Sequence, residues 1–206
     1  MNDQLRRSTV VISALAVTVL LTVSCFADDD RLWEALDLSP GLIVADVGAG
    51  EGQYSARLGS RIGTAGHLFS TEVDDEKLSK IHKRLSDDSE APFTVVLGGD
   101  QNTGLPHGCC DRILLRLVYH HFTDPSDMIA SLHRSLKPGG LLVLVDFEPG
   151  RLREVRGVPE SRGGHGIRPE LAIEELTASG FELVEHFKDW EGKSERFCLV
   201  LKAVSR

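Results

Sequence analysis

Apolar positions along this chain follow two rhythms, and the two alternate. Leu42–Val47, Gly66–Thr71, Phe93–Leu97, Asp111–Leu117 and Leu141–Phe147 are short, nearly unbroken apolar runs. They predict strands buried on both faces. Between them, apolar residues recur at helical spacing over Gln53–Arg61, Asp75–Leu85 and Asp124–Leu136, for example Leu78, Ile81 and Leu85. A further helix is expected over Pro169–Ser179, with proline in its first turn and Gly180 just past its end. Two last runs, Phe181–Phe187 and Phe197–Val204, are joined by WEGKSER and read as an antiparallel hairpin. A short helix is expected earlier, over Asp30–Leu38, stopped by Ser39-Pro40-Gly41.

Strands apolar on both faces and separated by helices predict an α/β fold. The expected architecture is a Rossmann-like, doubly wound, seven-stranded, mostly parallel sheet with a C-terminal antiparallel hairpin. Ligands meet such sheets at the carboxyl ends of the strands. Asp46, the glycine loop after it, Glu72, Asp100 and Arg116 all fall at expected carboxyl ends.

The first 27 residues break this rhythm. Arg6 and Arg7 precede an apolar stretch from Val10 to Val23, and Cys25-Phe26-Ala27 ends it before three aspartates. This is the layout of a secretory signal cleaved after Ala27, and it predicts an exported protein. The stretch is short for a membrane span, which needs about 20 residues. An uncleaved anchor over residues 10–24, lipidation at Cys25 and a twin-arginine signal remain open. Residues 28–206 are then the folded domain, with a ligand-binding core over residues 42–148.

Charge narrows the partners. The chain carries a net charge of -8; residues 1–27 contribute +1, so the remainder carries -9. So acidic a domain lacks the basic face that nucleic acid or anionic lipid requires. Contact with a membrane is expected only through residues 1–27, if they stay uncleaved. The four cysteines, Cys25, Cys109, Cys110 and Cys198, show no metal-ligand spacing, so neither a metal site nor a disulfide framework is expected.

The glycine loop reads Gly48-Ala49-Gly50-Glu51-Gly52-Gln53. A dinucleotide fold wants glycine at the sixth place, where Gln53 stands, and Glu51 would face a pyrophosphate on the helix N-terminus. S-adenosylmethionine, with its ammonium and sulfonium cations and no phosphate, suits the loop better. Asp46 adds negative charge beside those cations. Glu72 lies 22 residues after Gly50, where a carboxylate can accept both ribose hydroxyls. Asp100 can accept from the adenine amino group, with Gln101 beside it. Taken singly, the loop fits a tight turn, Glu72 a solvated strand end and Asp100 a turn former; their joint placement favours a ligand site.

At this point VADVGAGEG, LFSTEVD, VVLGGD, DRILLRLVYHHFTDP and SLKPGGLLVLVDF, in this order, resemble the class I S-adenosylmethionine-dependent methyltransferases. The resemblance implies S-adenosyl-L-methionine as cofactor. It also implies that Asp46, Gly48, Gly50, Gly52, Glu72 and Asp100 contact it, and that Leu115 and Arg116 edge the adenosine pocket. Glutamate replaces the commoner aspartate at position 72, and the ribose role survives that change.

Methyl transfer from a sulfonium needs alignment, dry surroundings and, for a protonated nucleophile, a base. Tyr119-His120-His121 follows the fourth strand, where an acceptor would meet the methyl group. His120 and His121 are the candidate bases; Tyr119, Asp146 and His165 are candidate substrate contacts. Packing and a strand-edge cap are the alternatives for these residues. The arginine-rich stretch Glu148–Pro169, carrying Arg151, Arg153, Arg156, Arg162 and Arg168, reads either as a lid favouring an anionic acceptor or as a solvated loop. The expected acceptor is a small molecule. The rival readings are a non-catalytic protein that binds adenosylmethionine or adenosylhomocysteine, and a nicotinamide-dependent oxidoreductase.

Overall fold

The computed structural model describes residues 30–150, 162 and 164–204. The expected signal at residues 1–27, and Arg151, Arg153 and Arg156 of the expected lid, lie outside them. The described residues fall into two units, divided after Asp37. The first contains a helix, α1 (residues 30–35), extended by a hydrogen bond from the Leu36 N–H to the Leu32 carbonyl at 3.0 Å.

The second unit begins with β1 (Ile43–Val47), α2 (Gln53–Ile62), β2 (His67–Glu72) and α3 (Asp75–Asp88). It continues through β3 (Phe93–Leu97), β4 (Cys110–Arg116), α4 (Pro125–Ser135) and β5 (Leu136–Phe147). α5 (Pro169–Ala178), β6 (Phe181–Phe187) and β7 (Arg196–Ala203) complete it. The strands form one seven-stranded sheet in the order β3-β2-β1-β4-β5-β7-β6. β1 pairs in parallel with β2 and β4, β2 with β3, and β4 with β5. β7 runs antiparallel to both β5 and β6. The expected mostly parallel α/β sheet with its C-terminal hairpin is therefore the fold observed.

Local chemistry explains the element ends. α3 starts at Asp74, whose carboxylate accepts the Glu76 N–H at 3.0 Å and satisfies one orphan donor of the first turn. α4 and α5 both begin with proline, whose missing N–H costs nothing there. One expectation needs correcting: α4 stops at Ser135, and Leu136 already pairs with Cys110. The next parallel pair is Arg112 with Leu141, so Lys137-Pro138-Gly139-Gly140 is an irregular insertion in β5 rather than a separate turn. Lys137 Nζ is pinned there by both Asp111 carboxylate oxygens at 2.8 Å.

One apolar cluster runs under this sheet, built from Ile113 and Leu115 of β4, Leu142 and Leu144 of β5, Leu199 and Leu201 of β7, and Met128, Leu132 and Leu176 of the helices. β1 has partners on both sides, and the chain leaves its two neighbours in opposite directions. The crevice between the β1 and β4 exits is thus the switch point of the sheet.

Candidate functional site

The loop after β1 is suspended from β2. The Gly48 and Ala49 N–H groups both donate to the Thr71 carbonyl, at 3.0 and 2.9 Å, and the Gly50 N–H donates to Glu72 Oε2 at 2.8 Å. Glu72 Oε1 accepts the Val73 N–H at 3.0 Å, and Lys77 Nζ stands 3.8 Å from Oε2. Glu72 thus holds the loop's shape.

The three glycines differ. Gly48 has φ +76°, and a Cβ on it would lie 2.5 Å from Val118 Cγ2, so the loop touches the exit of β4. Gly50 has φ +60°, and a Cβ there would meet nothing within 4 Å. Gly52 is buried and caps α2, where a Cβ would stand 3.4 Å from Ile81 Cα. It therefore packs α2 against α3 and is not among the residues that line the cleft.

A cleft of about 350 Å³ opens on this loop, lined by Asp46, Gly48–Glu51, Gln53, Tyr54, Arg116 and Leu117. Its size falls in the roughly 300–1,000 Å³ range of small-molecule sites. Asp46 is buried and accepts from Ser55 Oγ at 2.6 Å; Ser55 in turn shares a 2.8 Å contact with Ser70. Burial pushes the Asp46 carboxyl up to about 6, against the lowering pull of Ser55 and Arg116. A carboxylate in such a place gains from a cation beside it.

Arg116 donates to Glu191 Oε1 at 2.7 Å, and its guanidinium carbon sits 4.1 Å from the Tyr54 ring centroid. Glu191 also holds Arg196. Glu51 is exposed and bound to Lys80 at 2.9 Å. The repulsion that Glu51 was expected to exert on a pyrophosphate is therefore largely offset. The stronger argument against a diphosphate is that Arg116, the cation of this lining, is committed to Glu191.

Leu115 is fully buried in the core, and Arg116 and Leu117 line the cleft in its place. Alternation turns Arg116 away from the core-facing side that Leu115 shares with Ile113, and Leu117, past the end of β4 at φ +56°, no longer follows the strand. Asp100 and Gln101 lie in the exposed loop after β3, outside the cleft lining.

Beyond β4, a 3-10 turn over Tyr119–His121 brings three candidates to different places. Tyr119 is buried in the core cluster and its hydroxyl donates to Glu175 Oε2 on α5 at 2.7 Å. Arg162 binds the other Glu175 oxygen. Tyr119 thus ties the turn after β4 to α5. Burial and the adjacent Glu175 raise its phenol well above the usual range.

His120 is buried, and its Nδ1 lies 2.7 Å from Asp146 Oδ1 on β5. Asp146 also accepts the His120 and Phe147 N–H groups, at 3.1 and 3.0 Å. His121 is exposed; partial desolvation and the neighbouring His120 hold its imidazole below the ordinary value. His165 reaches the same place from the far side of the arginine-rich stretch, its ring centroid 5.1 Å from His120 and 5.0 Å from Phe147. The Ile167 N–H donates to the Phe147 carbonyl at 2.9 Å and fixes that segment beside β5.

Some of these residues were not foreseen. Tyr54 and Glu191 lie outside the matching stretches, and Leu117, inside DRILLRLVYHHFTDP, is not distinguished there from its apolar neighbours. A signal for Tyr54 was available, since it is the second residue of the helix that leaves the loop. Glu191 sits 75 residues from its partner Arg116, in a connection whose sequence resembles any hairpin loop.

Residues 45–144 match the family model described as a methyltransferase domain. A ubiquinone/menaquinone biosynthesis C-methyltransferase, UbiE, from Methylococcus capsulatus is 29% identical over 123 residues, 57% of this chain and 50% of that protein. The protein of the same name from Vibrio parahaemolyticus is 26% identical over 158 residues, 74% of this chain and 60% of its own length. The chain thus spans about half the length of the first curated relatives it matches. A solved S-adenosylmethionine-dependent methyltransferase from Aquifex aeolicus superposes with a TM-score of 0.71 at 20% identity, covering 85% of this chain and 89% of that one. That likeness is one of fold.

Proposed function

We propose that this chain, which belongs to the class I S-adenosylmethionine-dependent methyltransferase family, transfers the methyl group of S-adenosylmethionine to a small-molecule acceptor. The observation that carries the reading is the acidic switch-point cleft: a glycine loop tied to Glu72, open at Gly50 and backed by buried Asp46. These residues fit the cofactor's charge, with two carboxylates near the loop and the lining arginine neutralised by Glu191. Asp46 would face a cationic group, and the free oxygen lone pairs of Glu72 would meet the ribose hydroxyls. Gly48 and Gly50 would give backbone approach, and Asp100 with Gln101 would close over the adenine from the β3 loop.

When bound, the sulfonium supplies an already activated methyl group. The protein's part is to position, to exclude water and to manage a proton. The relatives' names place those proteins in quinone biosynthesis. Here the acceptor is taken only as a small molecule that reaches the histidines after β4. Tritiated methyl transfer from S-adenosylmethionine into a protein-free cell extract tests the reading. Labelled product that vanishes with Glu72→Ala supports it; cofactor binding without any transfer refutes catalysis and leaves a binding protein. We propose in addition that residues 1–27 carry the chain out of the cytoplasm or anchor it in a membrane, on the strength of their n-region and apolar stretch.

A further inference from the structure

Cys109 and Cys110 are neighbours in sequence, and their sulfurs lie 3.0 Å apart. Successive side chains of a strand point to opposite faces, so an extended Cys-Cys pair holds its sulfurs apart. Here the chain is turned just before the pair. Gly108 has φ +57°, and its N–H donates to the Arg134 carbonyl at 2.8 Å. Just after the pair, the register of β4 on β5 shifts between Cys110 and Arg112. Cys110 opens β4, pairs with Leu136 and is fully buried in the core. Cys109 stands before the strand and is only half-buried. One member of the pair is thus open to a reagent, and the other is backed by the core.

The surroundings set the two thiols apart. The hydrogen bond with Cys110 and the Lys137 ammonium hold the Cys109 thiol below its ordinary value, against partial burial. The same hydrogen bond and burial push the Cys110 thiol up. The third described cysteine, Cys198, is out of reach. It pairs with Val145 of β5, which pairs with Arg116, six residues along β4 from Cys110. At strand rise that is about 20 Å. A bridge among these three cysteines can therefore form only within the adjacent pair. Neighbouring Cα atoms are about 3.8 Å apart, less than the roughly 4.4–6.8 Å that disulfides usually span. A ring closed there is strained and easily reduced, which makes it reversible.

We propose that Cys109 and Cys110 are a modification site, a reversible redox couple that takes a small-molecule disulfide as its oxidant. The inference stands independently of the methyltransferase reading. In the first step the Cys109 thiolate attacks one sulfur of the reagent. A mixed disulfide forms on Cys109, and one reagent thiolate leaves. In the second step the Cys110 sulfur attacks Cys109, the bond from Cys109 to the reagent breaks, and the Cys110 proton goes to the second departing thiolate. Two protein thiols are oxidised, and one reagent disulfide is reduced to two thiols. The closed ring turns both side chains to one side, which a strand does not allow. Cys110 therefore leaves its pairing with Leu136, beside the insertion that Lys137 and Asp111 pin. This happens at the start of β4, whereas Arg116 at its end lines the cleft. Oxidation thus loosens the sheet and leaves the cleft intact.

The test uses the reduced full-length protein at neutral pH, incubated with oxidised glutathione, blocked with N-ethylmaleimide and digested with trypsin. The Leu85–Arg112 peptide carries Cys109 and Cys110 and no other cysteine. Mass spectrometry should find it lighter than the dithiol by two hydrogens and without alkylation. Dithiothreitol should restore two alkylatable thiols. Cys110→Ser should stop at a lasting glutathione adduct on Cys109, and Cys109→Ser should leave buried Cys110 without one. The oxidised wild type should lose about 0.5 M or more in urea midpoint. Its affinity for S-adenosylhomocysteine should change less than about twofold, as expected of distant sites. Two alkylated cysteines after exposure, or a mixed disulfide that persists in the wild type, overturns the proposal. So does a disulfide that forms only in urea-unfolded protein, or one that leaves the urea midpoint unchanged.

Discussion

Replacing Gly48 and Gly50 by alanine, one at a time, should damage two different properties. Both residues sit at left-handed φ, +76° and +60°, where alanine costs about 1–2 kcal/mol. At Gly48 the new methyl would also press on Val118 Cγ2 at 2.5 Å, and overpacking of that kind adds about 1–3 kcal/mol. Gly48→Ala should therefore cost about 2–5 kcal/mol, a large share of the roughly 5–15 kcal/mol that stabilises a domain. At Gly50 no atom lies within 4 Å, so only the backbone cost applies. Its methyl would instead occupy the cleft that Gly50 lines. Urea unfolding by intrinsic tryptophan fluorescence checks the first effect. With a slope of about 2 kcal/mol/M, the Gly48→Ala midpoint should fall by about 1–2.5 M and that of Gly50→Ala by about 0.5–1 M. Titration with S-adenosylmethionine checks the second: Gly50→Ala should bind about tenfold or more weakly, equal to about 1.4 kcal/mol. Equal midpoints for the two variants would refute the reasoning, because the Val118 contact is what separates them.

Further outcomes follow from other contacts. Tyr119→Phe removes the 2.7 Å bond to Glu175 and should cost about 1–2 kcal/mol of stability in thermal unfolding, with cofactor affinity unchanged; an altered acceptor KM would mark Tyr119 as a substrate contact. Burial raises the Asp46 carboxyl from 3.8 to about 6, so between these values the folded state holds a proton that the unfolded state has lost. Stability should therefore fall as pH rises from about 4 to 6, by a few kcal/mol at most, and Asp46→Asn should flatten that slope in urea titrations. A cation bound beside Asp46 favours its ionised form. Calorimetry at pH 5.5 in two buffers of different ionisation enthalpy should then detect proton release on cofactor binding, absent in Asp46→Asn. Asp111→Ala leaves Lys137 Nζ without its carboxylate and the Ile43 N–H without its acceptor, and should cost about 1–3 kcal/mol without touching the cleft.

The strands and helices were legible because binary patterning has little competition in a doubly wound sheet. β3 and β6 carry the expected bounds, and most other ends moved by a residue or two as caps and pairing decided them. The exception is instructive. Lys137-Pro138-Gly139-Gly140 reads locally as a stop, yet Leu136 finds a partner in Cys110, a long-range pairing that no window of sequence reports. In the cleft, residues fixed by chain order alone, such as Asp46, Gly48 and Gly50, were readable from the strand and loop pattern. Residues fixed by the direction of a side chain were not. Leu115 and Leu117 are two places apart on one apolar run, and only burial shows which one lines the cleft. Tyr119 and His120 are adjacent and equally polar in sequence. The 3-10 turn sends the first to Glu175 and the second to Asp146.

The most direct measurement is a calorimetric titration of the full chain with S-adenosylmethionine, S-adenosylhomocysteine and NAD in parallel. Saturable one-site binding of both adenosyl ligands, competition between them, no heat with NAD, and loss of binding in Glu72→Ala are the predicted results. Saturation by NAD with no response to S-adenosylmethionine would contradict the assignment of the glycine-loop cleft.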